Sequence, residues 1–336
     1  FAESLFQSQV SPFIGLFIGI LATGLIQSSS TTTSLVVGMV AAGTFGNDPK
    51  LAVAAAVPYI MGANIGTSIT NTIVSLGHIV SREEFKRAFS ASVVHDFFNI
   101  LAVIVIFPLE LIFGVISKFA YSMSEVLVGS GGGSFTSPVK MITKPTVKWI
   151  EGLVQQQTII DSNVLLLVAA LSFLFFSLRN LTKLIKSLVM LKLQAFFDTH
   201  IFRTTIRAMF FGVIITILVQ SSSITTSLVI PLAGAGILSL RQIFPYTLGA
   251  NIGTTVTSLL ASMVSGTIAP LAVALSHLTF NILGIGVLWP IKRVRELPIY
   301  LAEWFSALAT KNKLYPLLYI FIVFFVIPLS LISIVR

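Results

Sequence analysis

The chain contains no cysteine, which excludes a disulfide framework, a thiolate nucleophile and a thiolate metal site. Charge is scarce as well. Only 10% of the 336 residues are Asp, Glu, Lys or Arg, against roughly a quarter in soluble domains. With 55% hydrophobic residues and a mean hydropathy of +0.96, an ordinary water-soluble globule is excluded and the bilayer is the indicated solvent. The 21 basic residues against 12 acidic ones give a net charge of +9, which in a soluble protein would suggest nucleic acid. Here the basic residues fall in short clusters between apolar runs, where the positive-inside rule puts them. At the N-terminus no basic front, short apolar core and small-residue cleavage site read as a signal peptide.

Long apolar runs are plentiful. Val164–Leu178, closed by Arg179, Lys183, Lys186 and Lys192, approaches with its flanks the ~20 residues of a membrane helix. Further candidates are Leu51–Leu76, Ala88–Ile116, Phe244–Met263, Ile268–Pro290 and Leu314–Val335. Their Gly, Asn, Ser, Thr and His content suits packing against protein or lining a cavity. Two runs are too short. Pro12–Ile26 makes only about 22 Å of helix at 1.5 Å per residue, less than the hydrocarbon thickness of about 30 Å. It ends in Gln27-Ser28-Ser29-Ser30-Thr31-Thr32-Thr33-Ser34, and the chain turns apolar again over Leu35–Ala42. A polar tip between two half-length arms predicts a re-entrant hairpin, whose irregular backbone is tolerated at membrane depth only where it lines a cavity. Ile206–Val219, Gln220-Ser221-Ser222-Ser223-Ile224-Thr225-Thr226-Ser227 and Leu228–Ile237 have the same form.

These segments begin an internal repeat. Pro58-Tyr59 and Gly62-Ala63-Asn64-Ile65-Gly66-Thr67 recur as Pro245-Tyr246 and Gly249-Ala250-Asn251-Ile252-Gly253-Thr254, and His95, Phe98-Asn99-Ile100-Leu101 and Pro108 as His277, Phe280-Asn281-Ile282-Leu283 and Pro290. With the basic Arg179–Arg207 stretch placed in the cytoplasm, Arg82–Arg87 and Lys292-Arg293-Arg295 also fall inside. The first hairpin then enters from outside and the second from inside, which predicts an inverted repeat with a site where the two broken elements meet. This count leaves Lys140, Lys144 and Lys148 outside, in a long loop. The predicted fold is an all-α polytopic membrane protein with two inverted-topology repeats. The first unit is 11–117, with hairpin 12–44 and two transmembrane helices. An extracellular linker, 118–161, and a connecting transmembrane helix with a basic cytoplasmic segment, 162–200, follow. The second unit is 201–291, with hairpin 204–237 and two transmembrane helices, and 292–336 is an interfacial segment with a C-terminal transmembrane helix.

Hydroxyls and amides donate and accept, and a helix beginning at such a tip adds free N–H groups and a positive dipole end. That suits an oxyanion such as phosphate or sulfate, while the same oxygens are hard ligands for Na⁺. Ser and Thr also serve helix packing. Seven consecutive hydroxyl residues beside a Gln, repeated once with Ile224 in place of the fourth, exceed that need, because small apolar residues pack without a desolvation cost. Asn64 recurs with a Thr three residues on, which leaves packing and site roles both open. His95 has a counterpart in His277, whereas Asp96 faces Leu278 in the other copy. Asp96 is read either as a structural polar contact or as a cation-linked group, and Asn99 and Asn281 as interhelical hydrogen-bonders. Gly129–Gly133 reads as a linker, with no phosphate-loop pattern around it.

The two Gln-Ser-Ser-Ser copies, each followed by Gly-Ala-Asn-Ile-Gly-Thr, resemble the type II sodium–phosphate cotransporter family, bacterial members included. Gly62–Val74, Phe85-Lys86-Arg87-Ala88-Phe89, Val94-His95-Asp96 and Pro108-Leu109-Glu110 carry the resemblance furthest. The resemblance implies symport of Na⁺ and inorganic phosphate by alternating access, with Na⁺ as coupling ion and no organic cofactor. It makes Gln27, Ser28, Ser29, Gln220, Ser221, Ser222, Asn64 and Asn251 phosphate candidates, and Ser30, Thr31, Thr67, Ser223, Thr254 and Asp96 Na⁺ candidates. No catalytic residue and no nucleic-acid partner are expected. The expected location is a bacterial inner membrane, with the oligomeric state open, a homodimer included. The alternatives are a Na⁺-coupled carrier of sulfate or a carboxylate, a channel, and an intramembrane hydrolase, which would need one Ser with an oriented base in place of symmetric hydroxyl runs.

Overall fold

A computed structural model of the chain describes residues 11–129 and 201–335, with scattered positions between 145 and 172. The run 164–178, the basic residues that close it, Lys140, Lys144 and the linker after 129 lie, those scattered positions apart, outside the described residues. Among the described residues all regular structure is helical.

The first Gln-Ser-Ser-Ser segment joins helix α1 (Pro12–Ile26) to α2 (Ser29–Ala41). Helix α3 (Pro49–Gly66) is capped by Asp48, whose side chain accepts from the amides of Lys50 and Leu51. Leu51–Leu76 is expected to be one run, but the helix breaks at Thr67 and Ser68 and resumes as α4 (Ile69–Ser75). Two hydroxyls bond back to carbonyls at the break, as Thr254 and Thr255 also do in the unbroken second copy. Thr67 Oγ1 donates back to Ala63 O and Ser68 Oγ to Ile65 O, offering the carbonyls a partner other than the helical amide. Helix α5 (Arg82–Phe113) follows and ends at Gly114 in the left-handed region, φ 62°.

A further helix, α6 (Val115–Gly129), stands where the sequence reading begins its extracellular linker. Glu110 makes it possible. Its carboxylate turns back over Gly114 to accept from the amides of Ile116 (2.6 Å) and Ser117 (3.3 Å), an anion on a helix N-terminus.

The second Gln-Ser-Ser-Ser segment joins α7 (Thr205–Val219) to α8 (Ser222–Ser227), continued at once by α9 (Val229–Gly234). Helix α10 (Leu240–Ser265) starts with a Ser239–Gln242 capping box, and α11 (Ile268–Leu288) lies against it. Helix α12 (Lys292–Ala309) has an amphipathic pattern, with Tyr300 and Trp304 exposed. The last helix runs as α13 (Leu314–Phe321), a π-helical stretch Ile322–Val326, and α14 (Ile327–Val335). Pro328 just beyond that stretch has no amide proton to donate.

Four described helical stretches are long and apolar enough to cross a membrane, namely Pro49–His78, Arg82–Phe113, Ile268–Leu288 and Leu314–Ile334. Helix α10, expected as a fifth, is as long but is interrupted by Asn251, Thr254, Thr255, Thr257 and Ser258, all buried. It spends its surface on protein.

The packing crosses between the two halves. Helix α1 lies along α3, and α7 along α10, within the same half. Helix α2 packs on α10 and α11 as well as on α3, while α8 packs on α7, α10 and α4, and α9 chiefly on α5. The second arm of each Gln-Ser-Ser-Ser pair thus touches its own half and also reaches across to the other. Missing side chains permit the close intra-half contacts. A Cβ on Gly19 would strike Tyr59 O and one on Gly62 would strike Leu16 O, and in the other half Gly212 meets Tyr246 O and Gly249 meets Met209 O.

Candidate functional site

Gln27 and Gln220 are the only described non-glycine residues in the left-handed region, both at φ 56°. An L-residue there costs roughly 1–2 kcal/mol, and such strain clusters at functional positions. Each glutamine ends a helix, its amide donating to the carbonyl of Thr23 or Thr216. The next serine caps the helix that follows. Ser28 Oγ accepts from the amide of Thr31 (3.2 Å) and Ser221 Oγ from that of Ile224 (3.4 Å). The N-termini of α2 and α8, with their free amides and positive dipole ends, are therefore built alike.

The two turns, far apart in sequence, meet in the interior. Ser30 Oγ donates to Gln220 O (3.4 Å), and Ser223 Oγ donates to Thr67 O at the break between α3 and α4 (3.2 Å). Ser29 and Ser222 are buried, 3% and 2% exposed. Among the described residues neither has a side-chain hydrogen-bond partner, which leaves two hydroxyls available at the meeting point. Thr31 Oγ1 donates to Ser28 Oγ (2.9 Å). Thr254 Oγ1 returns to Ala250 O, as Thr67 Oγ1 does to Ala63 O, so both keep lone pairs for a cation. No Lys or Arg occurs in residues 27–34 or 220–227. Among the described residues no three His, Asp or Glu gather as a metal cluster.

Asn64 and Asn251 are buried as well. His95 Nε2 donates to Asn251 Oδ1 (2.6 Å), Asn251 Nδ2 to Asn99 Oδ1 (2.9 Å), and Asn99 Nδ2 to Asn64 O (2.8 Å). Asn281 Nδ2 reaches Asn251 O (3.3 Å). This buried chain ties α3, α5, α10 and α11 together, and it places Asn99 and Asn281 as interhelical links. Asn64 Nδ2 is engaged with Ile60 O (3.0 Å). Asp96 is fully buried and accepts from Tyr319 OH of α13 (2.9 Å), while its second oxygen, Oδ1, has no partner among the described residues. An unpaired carboxylate oxygen in such a place is costly unless a cation or proton reaches it. His277 Nδ1 lies 3.5 Å from Ser258 Oγ, but that hydroxyl donates to Thr255 O at 2.8 Å, so the pair is not poised as nucleophile and base.

Sequence reasoning missed several members. Thr257 Oγ1 donates to Gln220 Oε1 (2.7 Å), Asn71 Nδ2 donates to Thr226 Oγ1 (2.7 Å), and Tyr319 holds Asp96. Thr23 and Thr216, four residues before each glutamine, have buried hydroxyls without a partner among the described residues. Their recurrence at one place in both copies is a signal the sequence offered. Tyr319 offered none.

The sequence profile of the Na⁺/Pi-cotransporter family matches residues 1–131 and 173–312. The chain is 32% identical over 413 residues to human sodium-dependent phosphate transport protein 2B, an alignment covering 95% of this chain and 58% of that protein. Rat sodium-dependent phosphate transport protein 2A is 32% identical over 392 residues, covering 95% and 60%. The bovine 2B protein is 33% identical over 409 residues, covering 95% and 58%. The chain thus spans somewhat under two thirds of the length of these relatives. No solved structure matches it. The paired Gln-Ser-Ser-Ser turns and the profile agree, and the chain is a multi-pass membrane protein of the Na⁺/Pi-cotransporter family.

Proposed function

We propose that the chain is a Na⁺-coupled symporter that imports inorganic phosphate, with substrate and sodium held between the two Gln-Ser-Ser-Ser turns. The observation that carries this reading is the meeting of the turns through Ser30 and Gln220 O, with two capped helix N-termini pointing to one region. In the proposed site Gln27, Ser28, Ser29, Gln220, Ser221 and Ser222 donate to phosphate, with Asn64 and Asn251 behind them. Ser30, Thr31, Thr67, Ser223, Thr254 and Asp96 supply oxygens for Na⁺. With no basic side chain in either turn, helix dipoles, hydroxyls and the sodium ions offset the anion's charge. Na⁺ and phosphate then raise each other's affinity reciprocally.

The proposed architecture is two inverted-topology repeats, 11–117 and 201–291, each with a re-entrant hairpin, in a bacterial inner membrane. The crossing of the second arms onto the opposite half supports it, because moving one half against the other would then alternately expose the site. The relatives' names, sodium-dependent phosphate transport proteins 2A and 2B, support a carrier rather than an enzyme. The test is radiolabelled phosphate uptake into proteoliposomes with and without an inward Na⁺ gradient, with sulfate as competitor. Uptake that follows the gradient and resists sulfate is expected. Equal uptake under both conditions overturns the coupling, and effective competition by sulfate overturns the substrate.

A further inference from the structure

A cavity of about 620 Å³ opens where α1, α3 and α6 begin and α5 ends, away from the two turns. Its volume falls within the range of about 300–1,000 Å³ usual for small-molecule sites. Lys118, Tyr121, Ser122 and Glu125 line it from α6, and their spacing of three, four and seven residues puts them on one helix face. Lys50 faces them from α3, its ammonium 5.3 Å from the centroid of the Tyr121 ring. Glu110 also borders the cavity, but its carboxylate is occupied by the amides of Ile116 and Ser117. Among the described residues neither lysine and no oxygen of Glu125 takes part in an ion pair. Two ammonium groups and one carboxylate therefore stand around one space without an ion-pair partner among the described residues.

The rim is apolar. Leu51, Ile112 and Phe113 are 67%, 71% and 58% exposed, and α5 ends there as a membrane-crossing helix. Charged groups beside exposed apolar side chains at the end of a span mark the level of lipid headgroups, where long side chains lay an apolar stem on the rim and keep their charge at the polar interface.

We propose that this cavity binds the headgroup of an aminophospholipid of the phosphoethanolamine class. The phosphodiester lies between Lys50 and Lys118, the primary ammonium meets Glu125, and the acyl chains run out over Leu51, Ile112 and Phe113. A free phosphate ion would use the two lysines but not Glu125 or the rim.

The test is native mass spectrometry of the delipidated full chain. The protein is titrated with dioleoyl phosphatidylethanolamine, the phosphatidylcholine and phosphatidylglycerol analogues, and separately inorganic phosphate. One phosphatidylethanolamine adduct is expected at lower lipid concentration than either analogue. Lys50→Gln with Lys118→Gln raises the concentration for half occupancy about tenfold or more, since both charge-assisted contacts to the phosphodiester are lost. Lys118→Arg retains binding, and Glu125→Gln removes the preference over phosphatidylglycerol while a lipid still binds. Thermal unfolding of each variant in detergent verifies that it is folded. Absence of a phosphatidylethanolamine adduct, binding indifferent to the double lysine variant, or displacement of the lipid by millimolar inorganic phosphate overturns the assignment. Adducts are read without transport, so the result is independent of the symport reading.

Discussion

The two Gln-Ser-Ser-Ser turns share a backbone and differ in what their glutamines hold. Both glutamines sit at φ 56°, both are followed by a capping serine, and both lie beside an arm pressed onto a glycine-bearing helix. Gln220 is tied down, with Oε1 accepting from Thr257 and Nε2 donating to Ile217 O (2.6 Å). Gln27 is exposed, and Thr70, which stands where Thr257 stands in the other copy, keeps a buried hydroxyl without a partner among the described residues. The helix carrying the Asn-Ile-Gly-Thr motif is broken at Thr67 in the first copy and runs unbroken through Thr254 in the second. Identical motifs thus specify the same turn but not the same side-chain pairing. The two copies therefore share the turn and differ in what holds its glutamine.

The shared backbone is the feature most costly to disturb. Gly62→Val and Gly249→Val each drive a side chain into a carbonyl of the adjacent arm, and each is expected to lower stability by about 3 kcal/mol or more, read by thermal unfolding in detergent. Similar losses at both positions sustain the equivalence of the copies, and tolerance at one breaks it. Next in size is Arg87, whose Nε (2.9 Å) and Nη2 (2.7 Å) both donate to Gly234 O and hold the end of α9 against α5. Arg87→Leu is expected to cost about 1.5–3 kcal/mol, as for a lost hydrogen bond to a charged group, by the same measurement.

The threonine pair tests the asymmetry directly. Thr257→Val leaves Gln220 Oε1 short of its donor and should cost about 1–2 kcal/mol, whereas Thr70→Val removes an unpaired buried hydroxyl and should be neutral or stabilising within about 0.5 kcal/mol. Equal effects would mean that the two turns are engaged alike. The smallest contrast is Gln→Gly. Glycine relieves the left-handed strain, so Gln27→Gly should stabilise by up to about 1 kcal/mol. Gln220→Gly gains the same relief but loses two hydrogen bonds of about 1 kcal/mol each and should end near or below the wild type in stability.

Much of this arrangement was legible in local sequence. The arm expected over Pro12–Ile26 is a helix with those limits, because proline starts it and a polar residue that can leave the helix ends it. The polar interruptions at Gln27 and Gln220 fall at the turns. What escaped depends on packing between distant helices. Nothing in the apolar run Leu314–Val335 announces that Tyr319 will hold Asp96. The partner of Thr257 is fixed by how α7 lies along α10, and the break after Gly66 has no counterpart after the matching Gly253, so the shared motif does not encode it. Glu110 as the cap of α6 required Gly114 to turn the chain between them.

In the proposed mechanism both turns contribute to one phosphate site, and Gln→Gly separates that role from the turn itself. Sodium-driven uptake of radiolabelled phosphate into proteoliposomes, at phosphate below half saturation, should fall about tenfold or more in Gln27→Gly and in Gln220→Gly alike, as expected when a substrate's hydrogen-bonding partner is lost. Wild-type uptake by either correctly folded variant would contradict the account.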